Sequence, residues 1–158
     1  MATLYIIDIN HQHLVSYQKL TQDIELPGIL SFSNKQTYSF EDIQILKRDY
    51  IGHDTFHTTN DQFFDIHFHN DVEARLILKG TPIFYVCVNN FLYILECKEG
   101  DLVILQPNVV HWFSSKNELL ALRLFKKTPK YQSFSPKVSK QLENIHDVIE
   151  KSGIQFQV

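Results

Sequence analysis

From residue 62 onward the chain is cut into short apolar or alternating runs: "FFDIHFH", "EARLIL", "IFYVCV", "FLYILEC", "DLVIL", "HWFSS" and "LLALRLF". Between them stand "HND", "KGTP", "NN", "KEG", "QPN" and "SKNE", segments rich in the residues that close turns. Seven short strands joined by tight turns predict an all-β sandwich or barrel. The flanks read differently. "TYSFEDIQILKR" sets Phe40, Ile43 and Leu46 at helical spacing, with Ser39 as cap and Asp42 to answer it. "HLVSYQKLTQDIE", residues 13–25, has Leu14, Tyr17 and Ile24 at approximate helical spacing. "KVSKQLENIHDVIEKSG" aligns Val138, Leu142, Ile145 and Ile149 as one stripe that Gly153 stops. The expectation is a single domain over residues 1–158, a β-barrel with its core at about 62–126 and helices flanking it on both sides.

Composition narrows the partners. With 158 residues, 44% of them apolar and 13% aromatic, the chain can bury a substantial core. A net charge of −3 without a Lys/Arg run gives no support to a nucleic-acid or acidic-membrane partner. The start "MATLYIIDINHQHLV" lacks a cationic region before its apolar run, and no stretch approaches the roughly 20 apolar residues of a membrane span. A cytoplasmic location is expected; monomer and homodimer both remain open. Cys87 and Cys97 fall in one hairpin turning on Asn89-Asn90, in a register that sets them about 17 Å apart at ~3.4 Å per residue, too far to bond. They are expected to be reduced thiols.

The chemistry concentrates in "HFHNDVEAR", residues 67–75. On a strand, Phe64, Ile66 and Phe68 share one face while Asp65, His67 and His69 share the other. Two imidazoles at i and i+2 can converge on one ion. Glu73 follows after a turn, and Arg75 lies on its face of the next strand. His111 opens the strand after "QPN", where a neighbouring barrel strand can bring it opposite the first pair. Imidazoles plus one carboxylate suit a divalent first-row metal and leave positions open for substrate. The pair in "HQH" at 11–13 has Tyr17 where an acid would stand and is not read as a ligand pair. His53 and His57 are read as loop residues and His146 as a polar residue on the last helix.

"HFHNDVEARLILKG" resembles the first cupin motif, H-x-H-x3-E-x6-G, through His67, His69, Glu73 and Gly80. "GDLVILQPNVVH" is similar to the second, with His111 at the family's distance from Gly100. Within the cupins the chain resembles the acireductone dioxygenases, whose H-x-H-x-D-E-E-x-R block, G-D run, H-x-F and R-L-F are met here by "HFHNDVEAR", "GDLVIL", "HWF" and "RLF". Val72 stands for the first acid of the family's pair, Gln106 and Asn108 for its proline and glycine, and Tyr131 for a tryptophan. Asn tolerates the left-handed backbone a glycine would take.

That resemblance implies a cupin double-stranded β-helix with His67, His69, Glu73 and His111 on one divalent ion, Fe(II) or alternatively Ni(II). It implies a dioxygenase that cleaves 1,2-dihydroxy-3-keto-5-methylthiopentene with O2 in methionine salvage. Formate and a 2-keto acid form with Fe(II), and carbon monoxide with Ni(II) in some members. Arg75 has two readings, an ion pair with Glu73 or Asp65, or, together with Arg123, a contact to the enediolate. Phe84, Phe113 and Tyr131 are candidates for the wall around the methylthio tail. Two alternatives stay open: a related cupin acting on another enol or diketone, and a binding cupin without turnover.

Overall fold

Twelve strands and three helices follow one another in the computed structural model, which describes residues 2–35, 37–59, 62–63, 65–129, 132–136 and 140–156. The strands before the first histidine motif are β1 (Thr3–Asp8), β2 (His13–Lys19), β3 (Ile24–Leu26), β4 (Leu30–Asn34) and, after helix α1 (Phe40–Arg48), β5 (Gly52–Thr58). Then come β6 (Gln62–Phe63), β7 (Glu73–Lys79), β8 (Ile83–Val88), β9 (Phe91–Glu96), β10 (Asp101–Leu105), β11 (Val110–Ser115) and β12 (Leu119–Phe125). Helices α2 (Lys140–Glu143) and α3 (Ile145–Lys151) close the chain. The strands build two six-stranded antiparallel sheets, ordered β2-β1-β9-β8-β11-β6 and β3-β4-β10-β7-β12-β5. This is the jelly-roll barrel of the cupins, and it takes five strands from before residue 62.

Period-two alternation assigns every strand a face. Phe84, Val86 and Phe113 from the first sheet meet Phe32, Ile77, Val103 and Ala121 from the second in one core between the sheets. The outer face of the first sheet carries Tyr5, Ile7, Ile94 and Trp112, covered by Ile145 and Val148 of α3. The outer face of the second, with Ala74, Leu76, Leu102 and Leu124, is covered by Ile43 and Leu46 of α1. Strand β7 is therefore buried on both sides, which is how Glu73 and Arg75 come to lie in the interior.

Helix α1 follows its predicted signals. Asp42 N donates to Ser39 Oγ (3.1 Å) and Ser39 N donates to Asp42 Oδ2 (2.9 Å), a reciprocal capping box. The hairpin register is also as expected: Cys87 opposes Leu92, Cys97 N donates to the Pro82 carbonyl, and both cysteines are free. Asn89 takes the positive φ of the turn, 55°.

Four expectations are corrected. Residues 13–25 form β2 and β3, not a helix; Leu14-Val15-Ser16-Tyr17 alternates in exposure and pairs along β1, so ladder bonds outweigh an approximate helical spacing. His53 and His57 lie on β5, not in a loop, because Asp54, Phe56 and Thr58 alternate inward against β12. The C-terminal helix is two pieces broken at Asn144, whose φ of −117° and ψ of 28° are not helical. The expected strand "FFDIHFH" is not continuous: Phe63 ends β6, and among the other described residues of the segment only His67 and Phe68 pair, through isolated bridges. Phe64, Tyr131 and Val138 lie outside the described residues. No helix among the described residues is long and apolar enough to cross a membrane.

Gly80 ends β7 with φ +99°, and a Cβ there would run into the Glu118 carbonyl. Gly80→Ala is expected to cost about 1–3 kcal/mol from the left-handed backbone alone, with the clash adding to it. Urea unfolding of the two proteins measures this loss, and equal midpoints would contradict it.

Candidate metal centre

The site is assembled from three separated segments by main-chain bonds. His67 and His111 exchange both backbone hydrogen bonds, His67 N to the His111 carbonyl (3.0 Å) and His111 N to the His67 carbonyl (2.8 Å). They are directly opposed, so their side chains leave on the same face. His69 is held from the other side of the "QPN" turn, where Asn108, at φ +65°, donates its N–H to the His69 carbonyl (2.6 Å). Asn108 thus supplies the left-handed backbone expected of it. Glu73 begins β7 opposite Leu105 and Phe125. Asp71 braces the entry to that strand: its Oδ2 accepts from Lys127 N (2.8 Å), Thr128 N (2.9 Å) and Thr128 Oγ1 (3.0 Å).

Each imidazole has its proton placed by a carbonyl. Nδ1 of His67 donates to the Asp65 carbonyl (2.7 Å), Nδ1 of His69 to the Gln132 carbonyl (2.6 Å) and Nδ1 of His111 to the Val109 carbonyl (2.8 Å). A carbonyl only accepts, so Nδ1 bears a hydrogen, and in the neutral rings of His67 and His111 Nε2 carries the lone pair. The three rings face one another with centroids 4.4–5.1 Å apart, and their ligand atoms lie within 4.8 Å of one another. Glu73 Oε2 stands 2.7 Å from His69 Nε2. The three imidazoles thus converge on one buried point with a carboxylate beside His69, an arrangement that a divalent cation would stabilise. His111 Nε2 is buried with no hydrogen-bond partner among the described residues, as an atom meant for an ion would be.

The electrostatics keep these donors in the state a metal needs. Burial pushes His67 below its ordinary value and His111 down to about 3, so both are neutral at physiological pH. Burial, the largest single influence, opposes ionisation of Glu73 as well, but the Arg75 guanidinium together with His69 and His111 outweighs it and holds the carboxyl well below the usual range. Arg75 Nε donates to Glu73 Oε1 (2.8 Å), which selects Glu73 over Asp65 as its partner. Its guanidinium carbon sits 4.5 Å from the Phe113 ring centre and 5.8 Å from those of Phe56 and Phe84. Nη1 of Arg75 is buried without a hydrogen-bond partner among the described residues.

Arg123 lies directly across from Arg75 on β12, as its strand face requires, but it is engaged: Nε and Nη2 donate to Asp54 Oδ1 (2.7 Å) and Oδ2 (2.6 Å). Sequence reasoning missed Asp54 and Phe56 because both come from β5, which it read as a loop. The alternation of "GHDTFHT" was the signal that could have found them. The remaining histidines stay apart from the site: His11 pairs with Asp8 at a hairpin tip (2.9 Å), and His57 pairs with Glu118 (3.0 Å). A cavity of about 970 Å³ opens at the far end of the barrel, beside Lys79, Gly80 and Asn117. It is six residues along β7 from Glu73, so the two are separate.

Imidazoles kept neutral by burial make the metal-free protein acid-sensitive. Below pH 6.5 the unfolded chain binds protons that folded His67 and His111 refuse, so stability is lost as pH falls from about 6.5 toward 3. The slope is up to about 1.4 kcal/mol per pH unit for each such ring. Glu73, whose folded pKa is also depressed, adds to the loss below its ordinary 4.5. Chemical unfolding of chelator-treated protein at pH 7.5, 6.0 and 5.0 is expected to show a steady fall; a flat profile would mean that the rings are protonated in the fold.

Known proteins carry the same pattern. A family model described as "ARD/ARD' family" matches residues 7–133. Acireductone dioxygenase from Leishmania infantum is 32% identical over 119 residues, 72% of this chain and 34% of that protein. The Schizosaccharomyces pombe acireductone dioxygenase is 34% identical over 103 residues, 62% of this chain. The chain spans 34% and 57% of the lengths of these two relatives. A solved acireductone dioxygenase from Bacillus anthracis, with a cadmium ion in its active centre, superposes with a TM-score of 0.60 at 18% identity, over 85% of this chain and 98% of that one; that likeness shows the shared fold. With its motifs in register and the family pattern matched over most of its length, the chain belongs to the ARD/ARD' family of cupins.

Proposed function

We propose that His67, His69 and His111, through Nε2, and Glu73, through its carboxylate, bind one divalent ion. The chain would act as a dioxygenase cleaving the acireductone 1,2-dihydroxy-3-keto-5-methylthiopentene with O2. The observation that carries this reading is the convergence of three carbonyl-anchored imidazoles, with a buried carboxylate beside one of them. Fe(II) is the proposed resident ion, with Ni(II) as the alternative, since such a donor set accepts either and availability decides. When bound, the ion supplies Lewis acidity and a template on which an enediolate and dioxygen meet.

The residues around the ion define what the substrate must be. Glu73 is balanced by Arg75, Arg123 by Asp54, and imidazoles that ligate a metal do so as neutral rings. The protein shell is therefore near zero charge, and a divalent ion leaves two positive charges for a chelating dianion to cancel. Arg75 Nη1 is the buried donor placed to take a substrate oxygen, and desolvation strengthens such a bond. Phe56, Phe84 and Phe113 pack round its guanidinium, exclude water and hold it in place. Phe84 and Phe113, buried at 1% and 3% exposure, serve mainly as packing, with their edges available to an apolar tail.

Oxygen uptake on adding synthetic acireductone to metal-reconstituted protein tests the activity. Formate and a 2-keto acid are expected with Fe(II), and carbon monoxide would identify the Ni(II) reaction. No uptake with either metal, at full occupancy, would overturn the reading. Arg75→Met is expected to lower turnover tenfold or more, since a lost charge-assisted hydrogen bond costs about 1.5–3 kcal/mol. It should also weaken metal binding by about 10–100-fold, because Arg75 orients the ligand Glu73. Arg123→Met is expected to leave metal content unchanged. Metal analysis beside the kinetics separates the two arginines, and full activity with full metal in both variants would remove arginine from the pocket's chemistry.

A further inference from the structure

A row of charge crosses three strands of the second sheet: Arg75 on β7, Arg123 opposite it on β12, and Asp54 opposite Arg123 on β5. Side-chain exposure rises along that row, from 3% at Arg75 to 13% at Arg123 and 41% at Asp54. β5 is the edge strand of its sheet. The row therefore runs from the buried Arg75, beside Glu73, outward to the solvent-exposed edge of the sheet. The Phe56 ring contacts both guanidinium groups, at 5.8 Å from Arg75 and 5.4 Å from Arg123, so the two positive charges flank one aromatic wall.

Two like charges directly opposed on neighbouring strands repel. Glu73 answers the inner one and Asp54 the outer one, the latter through both carboxylate oxygens. A forked pair of this kind is among the strongest charge-assisted contacts, and a ligand carboxylate must displace Asp54 to reach the same nitrogens. We propose that the sheet edge at Asp54 is the mouth of the pocket and that Asp54 is a specificity-determining residue: as the counter-charge of Arg123 it keeps that mouth neutral, so the site selects ligands whose negative charge is confined to the metal-chelating end and whose tail is uncharged. This rests on the metal-chelating reading above and adds to it the chemistry of the tail. A carboxylate already in place supplies a repulsive element against ligands with a charged tail.

Catechol and 3,4-dihydroxybenzoate test it, because both chelate a divalent ion through adjacent oxygens and differ by one carboxylate. Each is titrated calorimetrically into metal-replete wild type, Asp54→Asn, Asp54→Glu and the double variant Asp54→Asn/Arg123→Met. Wild type is expected to bind the two without preferring the carboxylate. Asp54→Asn is expected to prefer 3,4-dihydroxybenzoate by about tenfold or more, Asp54→Glu to restore the wild-type preference, and the double variant to lose the gain. Normal catechol binding with an unchanged preference in Asp54→Asn overturns the proposal alone. A preference that persists in the double variant overturns it as well, since Arg123 would not be its source. Failure of both ligands to bind any of the metal-replete proteins overturns it together with the chelation on which it rests.

Discussion

A neutral imidazole carries one proton, and the nitrogen that holds it decides what the ring can do. Here the carbonyls of Asp65, Val109 and Gln132 each take an Nδ1 proton, so the neutral rings of His67 and His111 present a lone pair at Nε2, while His69 turns its Nε2 to the Glu73 carboxylate. Without those bonds the same three histidines could rotate, exchange tautomers or hydrogen-bond one another, and the pocket would be an expensive cluster of buried polar groups. The strand pairing serves this arrangement. The reciprocal bonds between His67 and His111 set two rings side by side, and the turn at Asn108 holds the backbone of the third.

Burial then does electrostatic work of two opposite kinds. It lowers the proton affinity of His67 and His111, which favours metal binding, and it penalises the charge on Glu73, which does not. Arg75, 2.8 Å away, reverses the second effect together with His69 and His111. The guanidinium would itself be costly in an apolar barrel, and three phenylalanine rings offset part of that cost through their negative faces. Core packing and site chemistry are therefore not separable at Phe56, Phe84 and Phe113.

The sheet order explains why the charged residues are arranged from centre to edge. β7 lies inside the second sheet, covered on one face by α1 and on the other by the opposing sheet, whereas β5 has solvent beside it. Arg75 can thus be fully enclosed while Asp54 stays partly wet, and Arg123 between them belongs to neither environment alone. An ion pair at such a position is less costly to keep than one at the centre. This lets the outer pair stay partly hydrated without destabilising the fold.

What the sequence determined by itself is local. The separations of His67, His69 and Glu73, the cap at Ser39, the turn at Asn89 and the left-handed Asn108 each depend on a few consecutive residues, and all are legible as spacing or backbone preference. The barrel class was legible for the same reason, from repeated short runs and turn signals. Only the tertiary structure decided β2, β3 and β5, whose residues satisfy their backbone groups with partners far along the chain. It also decided which acid meets which arginine: Asp54 and Arg123 are 69 residues apart and meet because β5 pairs with β12. The Gln132 carbonyl reaches His69 across 63 residues. Such partners are fixed by register between strands, and register is set by the packing of the whole barrel rather than by any one segment.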